Sequence, residues 1–195
     1  TRKRETEELI LYAMTDEGYQ NLMALASEMY LASQSENEPL LSYEKLAQHS
    51  KGLFALTGGI YGAIGKALLS GRQEDANSAT ERLLELFPGS LGMEIMRHGM
   101  PEEAQTEAKF VELALKRNIP LVATNDIYFH GDKEMYEAHD ALLCIADGRY
   151  INETDRRRLT PEHRFKTPDE MRLLFADMPE AIENTVMIAK RCAVM

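Results

Sequence analysis

Two side chains stand where chemistry would be placed in an α/β protein. His98 follows the apolar run Leu91 to Met96, and Asp126 follows the run Ile119 to Thr124. In parallel sheets the loops at the carboxyl ends of neighbouring strands gather their polar groups on one rim. An imidazole and a carboxylate meeting there supply half the ligands of a hydrolytic Zn²⁺ or Mn²⁺ centre, in which the metal acidifies bound water. A plainer reading stands beside this one. Asp126 could hold its own loop by accepting backbone N–H groups, and His98 could cap the turn at Gly99. The same rim takes Thr57, Gly58 and Gly59 after an earlier run, Arg97 beside His98, and Asn125, Tyr128 and His130 beside Asp126.

The other reactive residue types are read as structural. His130 falls in a loop and reads as a surface residue. His139 sits mid-helix next to Asp140 and packs or hydrogen-bonds there, while His49 and His163 lie in polar stretches with no partner near in sequence. Arg156, Arg157 and Arg158 could grip a phosphate, but they follow Glu153 and Asp155 and read as a solvated charge cluster. The stretch Thr57-Gly58-Gly59-Ile60-Tyr61-Gly62 has no Lys-Ser/Thr and lacks dinucleotide spacing, which excludes a P-loop and a Rossmann fingerprint. Cys144 lies in the apolar run Leu142 to Ile145, so it reads as a buried thiol and not a nucleophile. Met23, Met29, Met93, Met96, Met171 and Met187 read as core filling.

The elements that must position the rim alternate in type. Leu9 to Met14, Leu53 to Thr57, Leu91 to Met96 and Ile119 to Thr124 are short apolar runs of the kind buried on both faces of a parallel sheet, although Gly92 and Glu94 weaken the third. Helical spacing predicts helices over Tyr19 to Ala32, Ser42 to Gln48, Tyr61 to Leu69, Glu74 to Phe87, Pro101 to Arg117 and Asp132 to Asp147. Gln34 to Pro39 reads as loop, and Ile151 to Phe165, polar and without a period, as an excursion over the surface. Thr167-Pro168-Asp169-Glu170 is a capping box that opens a helix to Phe175. Pro179 opens the last helix, with Ile182, Val186 (or Thr185) and Ala189 on one face. The alternation predicts an α/β fold with parallel strands and a helical C-terminal extension. Four strands are too few to close a barrel.

The chain has 195 residues, of which 44% are hydrophobic and 28% charged, an ordinary globular composition. Its formal net charge of −10 opposes non-specific contact with a phosphate backbone or an anionic membrane, so direct nucleic-acid binding is not expected. No apolar run is long enough to span a bilayer, and two isolated cysteines suit a reducing, cytoplasmic setting. The first residue is Thr1, which reads as the start of a fragment or a processed chain.

Several stretches, in order, resemble one family. Gly52 to Gly59, Glu94-Ile95-Met96-Arg97-His98-Gly99, Pro120 to Asp126, Ala138 to Ile145, Pro179 to Thr185 and Ala189 to Cys192 are similar to the polymerase-and-histidinol-phosphatase (PHP) domain of bacterial DNA polymerase III alpha subunits. The resemblance implies part of a distorted, TIM-like β/α barrel over residues 1–150. Residues 151–195 would form a surface excursion and helices leading toward a polymerase palm. The family's opening histidine-rich segment and its polymerase catalytic aspartates would lie outside the chain, and a sheet so truncated would have an unprotected edge.

Metal-competent relatives use manganese or zinc for phosphoesterase or 3′–5′ exonuclease chemistry. On that pattern His98 and Asp126 match ligands, whereas Gly59 stands where such members have a cysteine and Tyr128 where they have a histidine. The resemblance therefore implies a degenerate metal site with no cofactor expected in this chain. It implies a structural and docking role within a replicative DNA polymerase, beside the rest of the alpha subunit and a separate proofreading exonuclease subunit. The alternative it leaves is a metal-dependent phosphoesterase or exonuclease of the same superfamily.

Overall fold

The computed structural model describes residues 6–32, 40–131 and 133–192. The predicted loop at 34–39 and the predicted helix start at Asp132 lie outside them. In chain order the elements are β1 (Ile10–Ala13), α1 (Asp16–Ala32), α2 (Tyr43–Gln48), β2 (Leu53–Leu56), α3 (Ala63–Leu69), α4 (Gln73–Leu86), β3 (Leu91–Met96), α5 (Pro101–Arg117), β4 (Leu121–Thr124), α6 (Lys133–Asp147), α7 (Pro168–Leu174) and α8 (Pro179–Arg191). Short 3₁₀ turns occupy Gly59–Tyr61 and Pro161–His163. The strands form one four-stranded sheet in the order β1-β2-β3-β4.

Strand periodicity divides the side chains between two faces. Leu53, Ala55, Leu91, Met93, Ile95, Leu121 and Ala123 join the main core, beneath Leu25, Ile64, Leu68, Leu83, Phe110 and Phe175. Phe54, Leu56 and Val122 face the other way and pack with Ile188 of α8. Gly92 belongs to this second face for a steric reason. A Cβ there would lie 2.8 Å from both Leu56 and Val122 side chains. The glycine that weakens the sequence signal is thus the residue that lets β2, β3 and β4 close up.

β2, β3 and β4 are parallel and buried on both faces, as the apolar runs predict. β1 is different. It runs antiparallel to β2, with Ile10 opposite Leu56 and Ala13 opposite Leu53, and it is only half-buried. The cause is the connection. The excursion through α1 and α2 starts and finishes at one end of the sheet, where the Met14 N–H donates to the Gly52 carbonyl (2.8 Å). Local periodicity carries no record of which end a chain returns to.

The helix ends follow the capping chemistry. α5 begins with Pro101, Glu102 and Glu103 and finishes with Lys116 and Arg117, and Asn118 closes it in a left-handed conformation (φ 53°). At α7, Thr167 and Glu170 make the reciprocal bonds of a capping box. α8 buries the predicted face only in part. Ile182 packs against the main core and Thr185 is half-buried, but Val186 and Ala189 are exposed, and Ala181 and Ile188 are buried instead. The rotation lets the Asn184 side chain donate to the Leu121 carbonyl (2.9 Å). Met93 is buried, but Met23 and Met187 are exposed and do not fill the core.

Candidate functional site

The carboxyl ends of β3 and β4 bring His98 and Asp126 into contact. The Asp126 backbone N–H donates to Nε2 of His98 (3.2 Å). At the opposite edge of the ring, Nδ1 lies 2.7 Å from Glu103 Oε1, and the His98 backbone N–H donates to Glu103 Oε2 (2.6 Å). A carboxylate only accepts, so Nδ1 carries the proton and Nε2 holds the lone pair that takes the Asp126 N–H. Both ring nitrogens are committed. The ring is 1% exposed, so water does not compete for either bond.

Glu103 is placed by the helix it opens. Third in α5, it also accepts the Met100 N–H (3.2 Å). Burial pushes its carboxyl pKa up, but the hydrogen bonds from the His98 side chain and backbone and from the Met100 backbone outweigh this and hold it below the ordinary value. As an acid in the first turn of α5, Glu103 suits the helix dipole, but it does more than that. Its position at the reciprocal capping site was the signal for something more.

His163 is the second residue sequence reasoning missed. It is buried, and its ring stacks on His98 with centroids 4.0 Å apart and planes 15° from parallel. Thr160 ties the pair together. Its hydroxyl donates to the His98 carbonyl (2.6 Å), and its backbone N–H donates to Nδ1 of His163 (3.2 Å). Burial, and then the neighbouring His98, push the His163 pKa down. The expectation that His163 has no partner near in sequence fails at Thr160, three residues earlier, and its stacking partner His98 comes from a separate loop.

The remaining rim residues do varied work. Tyr128 is half-exposed; its N–H donates to the His163 carbonyl (2.9 Å), and its ring stands edge-on to His163 and His139. Burial, then the Asp126 carboxylate, raise its hydroxyl pKa. Tyr61 is pushed up to about 12 by burial and by Tyr128 and Asp126. Gly59 is buried at φ 51°, and a Cβ there would meet Met96 Cε at 3.0 Å. Asn125 fastens the returning chain, donating to the Arg164 carbonyl (2.8 Å) and accepting from Lys166 Nζ (3.0 Å). His130 is exposed, as expected.

Behind the rim, Glu94 is buried on the second sheet face. Oε1 accepts the Thr124 hydroxyl (2.6 Å), while Oε2 makes no hydrogen bond. Burial raises its pKa, with Asp126 and Glu8 adding to the rise against the Thr124 and Gly58 hydrogen bonds. The arginine run also departs from expectation. The Arg156 side chain is 1% exposed and forks onto Asp140 (2.6 and 2.7 Å) because the loop folds back on α6, whereas Arg157 and Arg158 stay open to solvent. Cys144 is buried, as predicted. Among the described residues no group of three or more His, Cys, Asp or Glu is arranged to hold a metal ion.

Comparison with known proteins places this geometry in a family. The PHP domain model matches residues 1–98. The chain is 45% identical over 187 residues to the DNA polymerase III subunit alpha of Caulobacter vibrioides, covering 96% of this chain and 16% of that protein. To the subunit of Rickettsia bellii it is 40% identical over 185 residues, covering 95% and 16%. To that of Escherichia coli K12 it is 37% identical over 191 residues, covering 97% and 16%. The chain therefore spans about a sixth of the length of these relatives. No described helix is long and apolar enough to cross a membrane. The chain belongs to the PHP domain family, and nearly all of it is homologous to one segment of DNA polymerase III alpha subunits.

Proposed function

We propose that this chain serves as a structural and docking portion of a cytoplasmic replicative DNA polymerase, and that its PHP metal site is degenerate. The observation that carries the reading is the state of His98. Glu103 takes one ring nitrogen and the Asp126 N–H engages the lone pair of the other, so a metal would have to displace that hydrogen bond to bind this imidazole. Gly59 brings no side-chain donor and Tyr128 brings a phenol with a raised pKa, so neither supplies a replacement. The relatives matched are polymerase subunits by name, which supports a replicative setting. The net charge of −10 fits contact with protein better than contact with DNA. In this reading proofreading belongs to a separate exonuclease subunit.

The competing reading is a metal-dependent phosphoesterase, favoured by the adjacency of His98 and Asp126. Elemental analysis, together with hydrolysis of bis(p-nitrophenyl) phosphate in Mn²⁺ or Zn²⁺, separates the two. We expect substoichiometric metal and no stimulated hydrolysis. Stoichiometric metal with activity lost in His98→Ala and Asp126→Ala would overturn the scaffold reading.

A further inference from the structure

The loop after α6, from Arg149 to Phe165, reaches the rim with little secondary structure of its own. It has the 3₁₀ turn at Pro161–His163 and a single bridge between Arg164 and Phe129. Its far end covers His98. The His163 ring stacks on one face of that imidazole at 4.0 Å, and the Thr160 hydroxyl donates to the His98 carbonyl (2.6 Å). Glu103 and the Asp126 N–H meet the edges of the ring, so the loop is what closes this face.

One side chain gathers the loop. The Arg156 guanidinium donates to both carboxylate oxygens of Asp140 on α6 (2.6 and 2.7 Å), to the Ile151 carbonyl (3.2 Å) and to the Arg157 carbonyl (3.3 Å). It ties the start and the middle of the loop to the helix, and the Tyr136 hydroxyl donates to the Leu159 carbonyl (3.0 Å), one residue before Thr160. α6 is anchored in turn where Tyr136 and His139 meet the buried Phe129 ring. The tie is a buried ion pair, and hydration of both charges on opening offsets much of what the pair contributes when closed. The Arg156 Nε tilts the balance further. It is buried and makes no hydrogen bond among the described residues, so opening hands an unsatisfied donor to water.

We infer that residues 149–165 form a strap that gates the rim, with Arg156 and Asp140 as its clasp. Closed, the strap shields one face of His98, holds its carbonyl, and fastens the Asp126 loop through the His163 and Arg164 carbonyls. Open, it uncovers them together. A segment held by side chains, with few backbone bonds of its own, opens at lower free energy than the fold as a whole. Removing one partner of the clasp leaves the other charged, buried and unpaired, and the chain relieves this by carrying Arg156 out to water. The gating goes beyond the proposed function, since it acts on a metal-free or a metal-holding rim alike.

Hydrogen–deuterium exchange at Cε1 of each histidine, read by mass spectrometry on the full-length subunit at about pH 8, where imidazole is neutral, follows each ring separately. In the parent, the buried His98 and His163 exchange slowly and the exposed His130 quickly. Asp140→Asn should speed exchange at both buried rings by about fivefold or more. His49, bonded to Asn21 away from the strap, keeps its rate. Arg156→Lys keeps the charge but loses the fork, so it gives a smaller rise and is read by the same criteria should Asp140→Asn not fold. Arg158→Gln, at an exposed arginine 3.9 Å from the same carboxylate, gives none. Unchanged rates at His98 and His163 in the clasp variants overturn the strap. So does an equal rise in Arg158→Gln, or a rise that His49 shares, which marks a general loosening of the fold. Metal content and phosphodiester hydrolysis, which decide the proposed function, do not enter this readout.

Discussion

Removing the Glu103 carboxylate is the sharpest perturbation available at the rim. Three donors converge on it, namely the His98 ring, the His98 backbone and the Met100 backbone, at 2.7, 2.6 and 3.2 Å. Hydrogen bonds to a charged acceptor each contribute about 1.5–3 kcal/mol, and buried donors left unpaired cost about 1–3 kcal/mol. These terms overlap, so Glu103→Ala should destabilise by about 3–5 kcal/mol, a large share of a typical domain's stability. At this chain length that corresponds to a fall in melting temperature of about 6–20 °C. Glu103→Gln recovers only part, because its amide nitrogen points a donor at a donor.

Circular dichroism melts check the magnitude, and a double-mutant cycle with His98→Ala checks the cause. With the ring removed, Glu103→Ala should cost measurably less, because one of the three donors is gone. A melt within about 2 °C of the parent, or strictly additive costs, would refute the reasoning. The pH dependence supplies a further check. Glu103 sits below its ordinary value of 4.5 in the folded chain, so its stabilisation is present in full above that pH. It is lost as the pH falls further, through the folded value.

Three more outcomes follow from the same structure. Arg97 forks onto both Glu107 and Asp177, donates to the Leu174 carbonyl and lies over the Phe175 ring; Arg97→Met should cost about 2 kcal/mol and speed proteolysis between α7 and α8, measured by urea unfolding and limited digestion. His163, lowered by burial from 6.5, must charge at acid pH, so stability falls as pH drops below that value; His163→Phe, which keeps a stacked ring, should flatten the profile between about pH 7 and pH 5. Glu94, raised by burial, loses stability as pH climbs from its ordinary 4.5 through its folded value; Glu94→Gln should abolish that decline in urea titrations.

How much of this was legible in the sequence depended on how local the cause was. β3 over Leu91–Met96 and α5 over Pro101–Arg117 match the sequence reading to the residue, because strand periodicity and capping chemistry act within a few positions. The direction of β1 was hidden, since it depends on where a long excursion returns. His98 meeting Asp126 was foreseeable from the rule that parallel strands share a rim. Its stacking on His163 was not, because that contact joins residues from separate loops. Arg156 was misread for the same reason: its neighbours in sequence are charged and solvated, but its partner Asp140 sits on a helix sixteen residues earlier.

The engaged nitrogens of His98 do not alone keep a metal away. Freeing Nε2 strands the Asp126 N–H at about 1–3 kcal/mol, whereas a complete structural zinc site supplies about 10–16 kcal/mol. What decides the balance is the number of further donors, and this gives the degenerate-site reading a direct trial. Tyr128 is half-exposed beside Asp126, and its backbone is held by the His163 carbonyl, so Tyr128→His offers an imidazole without disturbing a buried element. Its Zn²⁺ affinity by calorimetry should exceed the parent's by about tenfold or more. Gly59→Cys should gain less, because position 59 has φ 51° and its Cβ must displace Met96. Equal affinities for Tyr128→His and the parent would mean that the missing imidazole is not what the rim lacks.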